Sequence, residues 1–85
     1  DNASFNDTYG WILYQQGKFE EAERWIRKSL DNGGAKSGTV LEHYGDVLEK
    51  IDGNSKRALE YWQKAKQLGD HSDELDTKIQ EAKNE

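Results

Sequence analysis

The sequence predicts an all-α fold of five helices, two helix-turn-helix hairpins followed by a closing helix. Three observations carry that reading. Apolar and aromatic residues recur three and four apart, the spacing that lines one face of a helix. Glycines at Gly17 and Gly53 interrupt two such stretches at turn positions. The chain also aligns with itself: Tyr9, Gly10 and Leu13 match Tyr44, Gly45 and Leu48, 35 positions apart, and Gly17, Ala22, Ile26 and Lys28 match Gly53, Ala58, Trp62 and Lys64, 36 apart. One residue is inserted near Ile51 and Asp52.

Each element follows from its own residues. The first helix carries Phe5, Tyr9, Ile12 and Leu13, and the second Phe19, Ala22, Ile26 and Leu30, with Glu20 and Glu21 in the first turn, where negative charge is favoured. Asn32-Gly33-Gly34 stops that helix with residues that tolerate positive φ, and Ser37-Gly38-Thr39 supplies capping groups for the next. The third helix carries Val40, Tyr44, Val47, Leu48 and Ile51; the fourth carries Ala58, Tyr61, Trp62, Ala65 and Leu68. Ser72 is the expected N-cap of the fifth, with Asp73 and Glu74 in its first turn and Leu75, Ile79 and Ala82 along one stripe. These features divide a single domain over 1–85 into repeat one at about 4–34, repeat two at about 38–70 and a capping helix at about 72–84. Gly10 and Gly45 cost helix stability in mid-helix, roughly 0.5 to 1 kcal/mol against Ala, so they imply close backbone approach. Ala22 and Ala58 imply the same.

Composition narrows the function. With 33% hydrophobic and 34% charged residues, disorder has to be weighed, but three Trp, four Tyr and two Phe at helical spacing argue against it. A net charge of −5 offers no footprint for nucleic acid, which needs clustered Lys and Arg. No apolar run approaches the roughly 20 residues that span a bilayer. The chain has no Cys, so neither disulfides nor thiolate metal sites arise, and the compartment stays open. The triplets Asn2-Ala3-Ser4 and Asn6-Asp7-Thr8 read as chance matches to a short glycosylation pattern. His43 and His71 stand in different elements without metal-ligand spacing, and no phosphate loop or nucleophile motif is present. The expectation is no catalysis, no cofactor and no metal.

The aromatic, Leu, Gly, Tyr and Ala pattern of the two units resembles the tetratricopeptide-repeat (TPR) family across nearly the whole chain, best over Gly10 to Leu30, where Gln16-Gly17-Lys18-Phe19-Glu20-Glu21-Ala22 is typical of the family's turn. Both units lack its closing Pro; Gly34 and Asp70 fall near those places. The wording, including Glu42-His43-Tyr44-Gly45-Asp46, looks most like bacterial TPR proteins, among them envelope-associated ones of Bacteroides-type organisms. The resemblance implies an α-α superhelix (TPR solenoid) that binds a protein or peptide in a concave groove lined by the first helix of each hairpin. It also implies the C-terminal part of a longer array, with further repeats upstream or, alternatively, self-association through the exposed first helix; the absence of Met and the opening Asp1-Asn2 agree with a fragment.

That groove would take in Asp7, Trp11, Tyr14, Gln15, Glu42, His43, Asp46, Glu49 and Lys50, an acidic and aromatic face suited to a basic or amphipathic peptide. The plainer reading is a solvated helix face, and for Trp11 and Tyr14 it is packing against a preceding repeat. Some family members grip a C-terminal carboxylate with Lys, Asn and Arg. Here Asp7 and Trp11 stand where the first Lys and Asn are expected, and His43 replaces another Asn, so that specificity does not carry over. The alternatives to a binding scaffold are a purely structural end of an array and a recruitment module of a multi-domain enzyme.

Overall fold

The computed structural model describes residues 2–85 and contains five α-helices: α1 Ala3–Gln15, α2 Phe19–Asp31, α3 Gly38–Asp52, α4 Lys56–Leu68 and α5 Leu75–Lys83, with a short 3-10 turn at Gly34–Lys36 between α2 and α3. α1 pairs with α2 and α3 with α4, α3 also packs on α2, and α5 closes against α4. No strand occurs among the described residues.

The two hairpins use the same device at the same place. A Cβ on Gly10 would lie 2.6 Å from Ile26 Cγ1, and one on Gly45 would lie 2.5 Å from the Trp62 indole, so each glycine lets the paired helix approach to direct contact. Ala22 and Ala58, both fully buried, keep the pairs close. Gly17 and Gly53 turn the chain at φ +82° and +74°, backbone that side-chain-bearing residues rarely adopt. The register extends to the aromatic contacts. Tyr9 meets Trp25 edge-on at 4.8 Å with Lys28 over the indole, and Tyr44 meets Tyr61 edge-on at 4.8 Å with Lys64 over that ring.

The core forms two connected clusters. One joins Leu13, Ala22 and Ile26 to Val40, Tyr44, Val47 and Leu48; the other joins Leu41, Ala58, Trp62 and Ala65 to Leu75, Ile79 and Ala82 of α5. The expected stripe on α5 is therefore the buried one. Ser37 caps α3, its hydroxyl accepting from the Val40 N–H, and Asp70 braces the same helix end by accepting from Gly38 N–H at 2.9 Å.

The first helix is open along Phe5, Tyr9 and Ile12, which are 62%, 40% and 45% exposed, because among the described residues no helix covers that side of α1 as α2 covers α3. One expectation changes. Ser72 does not cap α5: the helix starts later, at Leu75, with Glu74 at the cap position, and Ser72 turns inward to Glu42 instead.

Candidate functional site

The site is built where α1, α3 and the approach to α5 converge. Four-residue spacing puts Asp7 and Trp11 on one face of α1, and Glu42 and Asp46 on one face of α3. Hairpin packing then turns these faces toward each other. His43 Nδ1 lies 2.9 and 3.0 Å from the two oxygens of the buried Asp7 carboxylate. A carboxylate only accepts, so the ring donates through Nδ1–H and its orientation is fixed. Fixed in this way, the imidazole stacks on Trp11 at 3.9 Å between ring centres, and Trp11 also stacks on Tyr14 at 4.5 Å. Tyr14 leans in turn on Phe19. Burial, followed by the nearby Asp46 and Glu49 carboxylates, pushes the Tyr14 hydroxyl pKa up.

Beside this aromatic row lies a charged network. Glu42 and Asp46 are 3% and 6% exposed, so they are not the solvated face that a run of surface charge usually makes. Lys78 of α5 bonds both, Nζ lying 2.7 Å from Glu42 Oε2 and 3.0 Å from Asp46 Oδ2. Ser72 donates its N–H and its hydroxyl to Glu42, and Trp62 Nε1 donates to Asp46 Oδ1 at 3.1 Å. Burial opposes charge on Glu42, yet the Lys78 and Ser72 hydrogen bonds outweigh it and hold the carboxyl below its usual range. At Asp46 burial wins, and its pKa is raised despite Lys78. Burial also opposes charge on Lys78, but the two carboxylates keep its ammonium pKa above the ordinary lysine value.

Trp11, Thr39, Glu42, His43, Asp46, His71, Ser72, Glu74 and Lys78 enclose a shallow depression of about 340 Å³. The other expected site residues lie apart from it. Gln15 and Lys50 are exposed along the helices, and Glu49 accepts from the Ser55 hydroxyl at 3.0 Å. Trp11 packs within the chain, on His43 and Tyr14.

Lys78 and Ser72 are the members that sequence reasoning missed. A signal for Lys78 was present: Leu75, Lys78, Ile79 and Ala82 follow the i, i+3, i+4, i+7 pattern of one helix face, so a lysine stands inside the apolar stripe and requires a buried anion. Among the described residues no cluster of three or more His, Cys, Asp or Glu could hold a metal ion, and no helix is long and apolar enough to cross a membrane. No protein-family model, curated protein or solved structure matches the chain.

Proposed function

We propose that this chain is a non-catalytic TPR-type interaction module that holds a segment of a partner polypeptide across the α1–α3 face. One observation carries the reading: Trp11 stacks on both Tyr14 and His43, and His43 is locked by Asp7, so a rigid aromatic surface borders the depression. Prepaid rigidity of this kind lowers the entropy cost of binding, and Trp and Tyr dominate interface energies where they are anchored. The repeated glycine and aromatic contacts of the two hairpins support the TPR comparison.

The charge side of the expectation narrows. Glu42 and Asp46 already bond Lys78 and Ser72, so they offer a basic peptide less than their sequence positions imply. An amphipathic segment with an apolar or aromatic anchor beside Trp11 suits the face better. Labelled amphipathic peptides, with and without basic residues, would be titrated at two salt concentrations. Trp11→Ala should weaken binding at least about tenfold, the order expected for an aromatic hot spot. Binding that ignores Trp11→Ala, or that occurs only with acidic peptides, defeats the reading. A second reading, a structural end-piece of an array, draws on α5, whose apolar stripe is buried while its outer surface is polar.

A further inference from the structure

The fold builds one groove twice, between α2 and α3 and again between α4 and α5. α5 continues the register of α3: Val40, Tyr44 and Val47 correspond to Leu75, Ile79 and Ala82, 35 positions later, and all six are buried. Leu30 and Leu41 border the first groove. Lys66 and Asp76 hold the equivalent places in the second, where they pair with each other. Packing these helices therefore does not require leucine at either place. Leu68 makes the same point, since it is 47% exposed and, among the described residues, the one large apolar side chain outside α1 left so open. Its counterpart in the first hairpin, 36 positions earlier, is the exposed Asn32.

These three leucines, with the Tyr44 and Tyr61 rings, line a depression of about 660 Å³ between α2 and α4, within the roughly 300 to 1,000 Å³ of small-molecule sites. Its cations are Arg27 and Lys64. A relay places Arg27: the Tyr44 hydroxyl donates to Glu23 at 2.7 Å, and Arg27 Nε lies 3.3 Å from the same carboxylate oxygen, which leaves the terminal guanidinium nitrogens to a ligand. Lys64 lies over the Tyr61 ring at 5.1 Å and 3.6 Å from Glu60. We infer that this depression binds a small apolar monocarboxylate, with its carboxylate between Arg27 and Lys64 and its hydrocarbon on the leucines. Apolar burial supplies the attraction, and the planar guanidinium fork selects a carboxylate head.

The surroundings limit the ligand to one charge. Glu23 and Glu60 stand one turn before the two cations, and Asp31 one turn after Arg27, so an acidic polypeptide running along the groove would meet like charge at both ends. A single carboxylate reaches the cations without that opposition. The depression shares no lining residue with the one beside Trp11, so this proposal and the α1–α3 proposal can fail separately.

The probe is octanoate, titrated into the isotope-labelled chain and followed by amide shifts in heteronuclear NMR. Saturable shifts are expected between Arg27 and Asp31 and between Tyr61 and Leu68, with a Kd on the order of 1 mM, the strength of a ligand of about ten non-hydrogen atoms. Gln80 and Lys83, which line the second groove, should stay still. Acetate, which keeps the head, and octylammonium, which keeps the tail and reverses the charge, should each bind at these residues at least about tenfold more weakly. Leu68→Asn, at an exposed position, should weaken octanoate at least about threefold with the Tm little changed. Arg27→Gln/Lys64→Gln should erase the preference for octanoate over octylammonium. Shifts that do not saturate, shifts centred on Trp11 or α5, equal binding of octylammonium, or indifference to Leu68→Asn overturn the inference. Tighter binding of a capped peptide of alternating leucine and aspartate would assign the groove to a polypeptide and also overturn it.

Discussion

Lys78→Met tests the charged network most directly. Met matches the lysine stem in length and flexibility, so the substitution removes the ammonium with little change of packing. Glu42 and Asp46 lose bonds of 2.7 and 3.0 Å and remain buried, one turn apart on α3. Stranding a buried charge costs about 3 to 5 kcal/mol, and because Lys78 is itself 28% exposed the low end, about 3 kcal/mol, is expected. For a domain of this size that corresponds to a Tm fall of roughly 12 to 24 °C. The pH response carries a sign. Without Lys78, burial and mutual repulsion raise both carboxyl pKa values in the folded chain, so the native state binds more protons than the unfolded one. Stability of Lys78→Met then rises as pH falls from 7 toward 5, opposite to ordinary acid destabilisation. Thermal melts by circular dichroism across that range, with Glu42→Gln/Lys78→Met as partner, supply the assay. The double variant should recover part of the loss. A Tm fall below about 4 °C with no pH dependence would refute the network and make Lys78 an ordinary surface lysine.

Other outcomes follow from the same contacts. Glu42 has a lowered carboxyl pKa, so its contribution is present above the unfolded value near ~4.3 and is lost as pH falls through the lower folded value. Glu42→Gln should therefore flatten the acid limb of the Tm profile, and Asp46→Asn, removing a raised pKa of opposite sign, should steepen it; parallel curves would count against both. Ala58→Leu inserts three carbons at a fully buried hairpin contact and should cost about 1 to 3 kcal/mol, read as a Tm loss of at least about 4 °C; an unchanged midpoint would sink the packing argument. Asn6 is buried with its amide nitrogen unpaired, and its counterpart in the second hairpin is Leu41, so Asn6→Leu should stabilise by about 1 kcal/mol; a lower urea midpoint would contradict this.

The helices and their pairing were legible because they rest on local signals. Gly17 and Gly53 mark turns by their φ requirement, Gly10 and Gly45 mark close contacts by their cost, and the repeat aligns them. The site was legible in part. Asp7 and Trp11 share a face of α1, and Glu42 and Asp46 a face of α3, because spacing by four fixes helix faces, but spacing along one helix does not reveal what packs opposite. Lys78 lies 36 positions beyond Glu42, and its reach to both carboxylates depends on the angle at which α5 returns to the hairpin. Ser72 was misread for a related reason. An N-cap serine and a serine that donates to a distant carboxylate look alike in sequence, and the tertiary acceptor decided between them. The α1 stripe, expected to be exposed, shows what periodicity carries: it identifies an apolar face, and only the presence of a covering helix makes that face core.

The lysine in the α5 stripe also bears on why this helix docks in one place. Leu75, Ile79 and Ala82 alone form a narrow apolar seam, and apolar contact is non-directional. Sliding α5 by one turn moves every side chain by about 5.4 Å along its axis, a displacement that still leaves aliphatic groups against aliphatic groups. The same slide breaks both Lys78 bonds and leaves three buried or half-buried charges uncompensated, a penalty larger than the loss of any one methylene contact. The exposed pair of Lys66 and Asp76 contributes little to that choice, since surface ion pairs are weak and screened. Register is therefore set by the charged residue inside the seam, and stability by the apolar residues around it. The same division holds at the α2–α3 contact, where the Tyr44 hydroxyl on Glu23 fixes alignment and Val40, Val47 and Ile26 provide the burial.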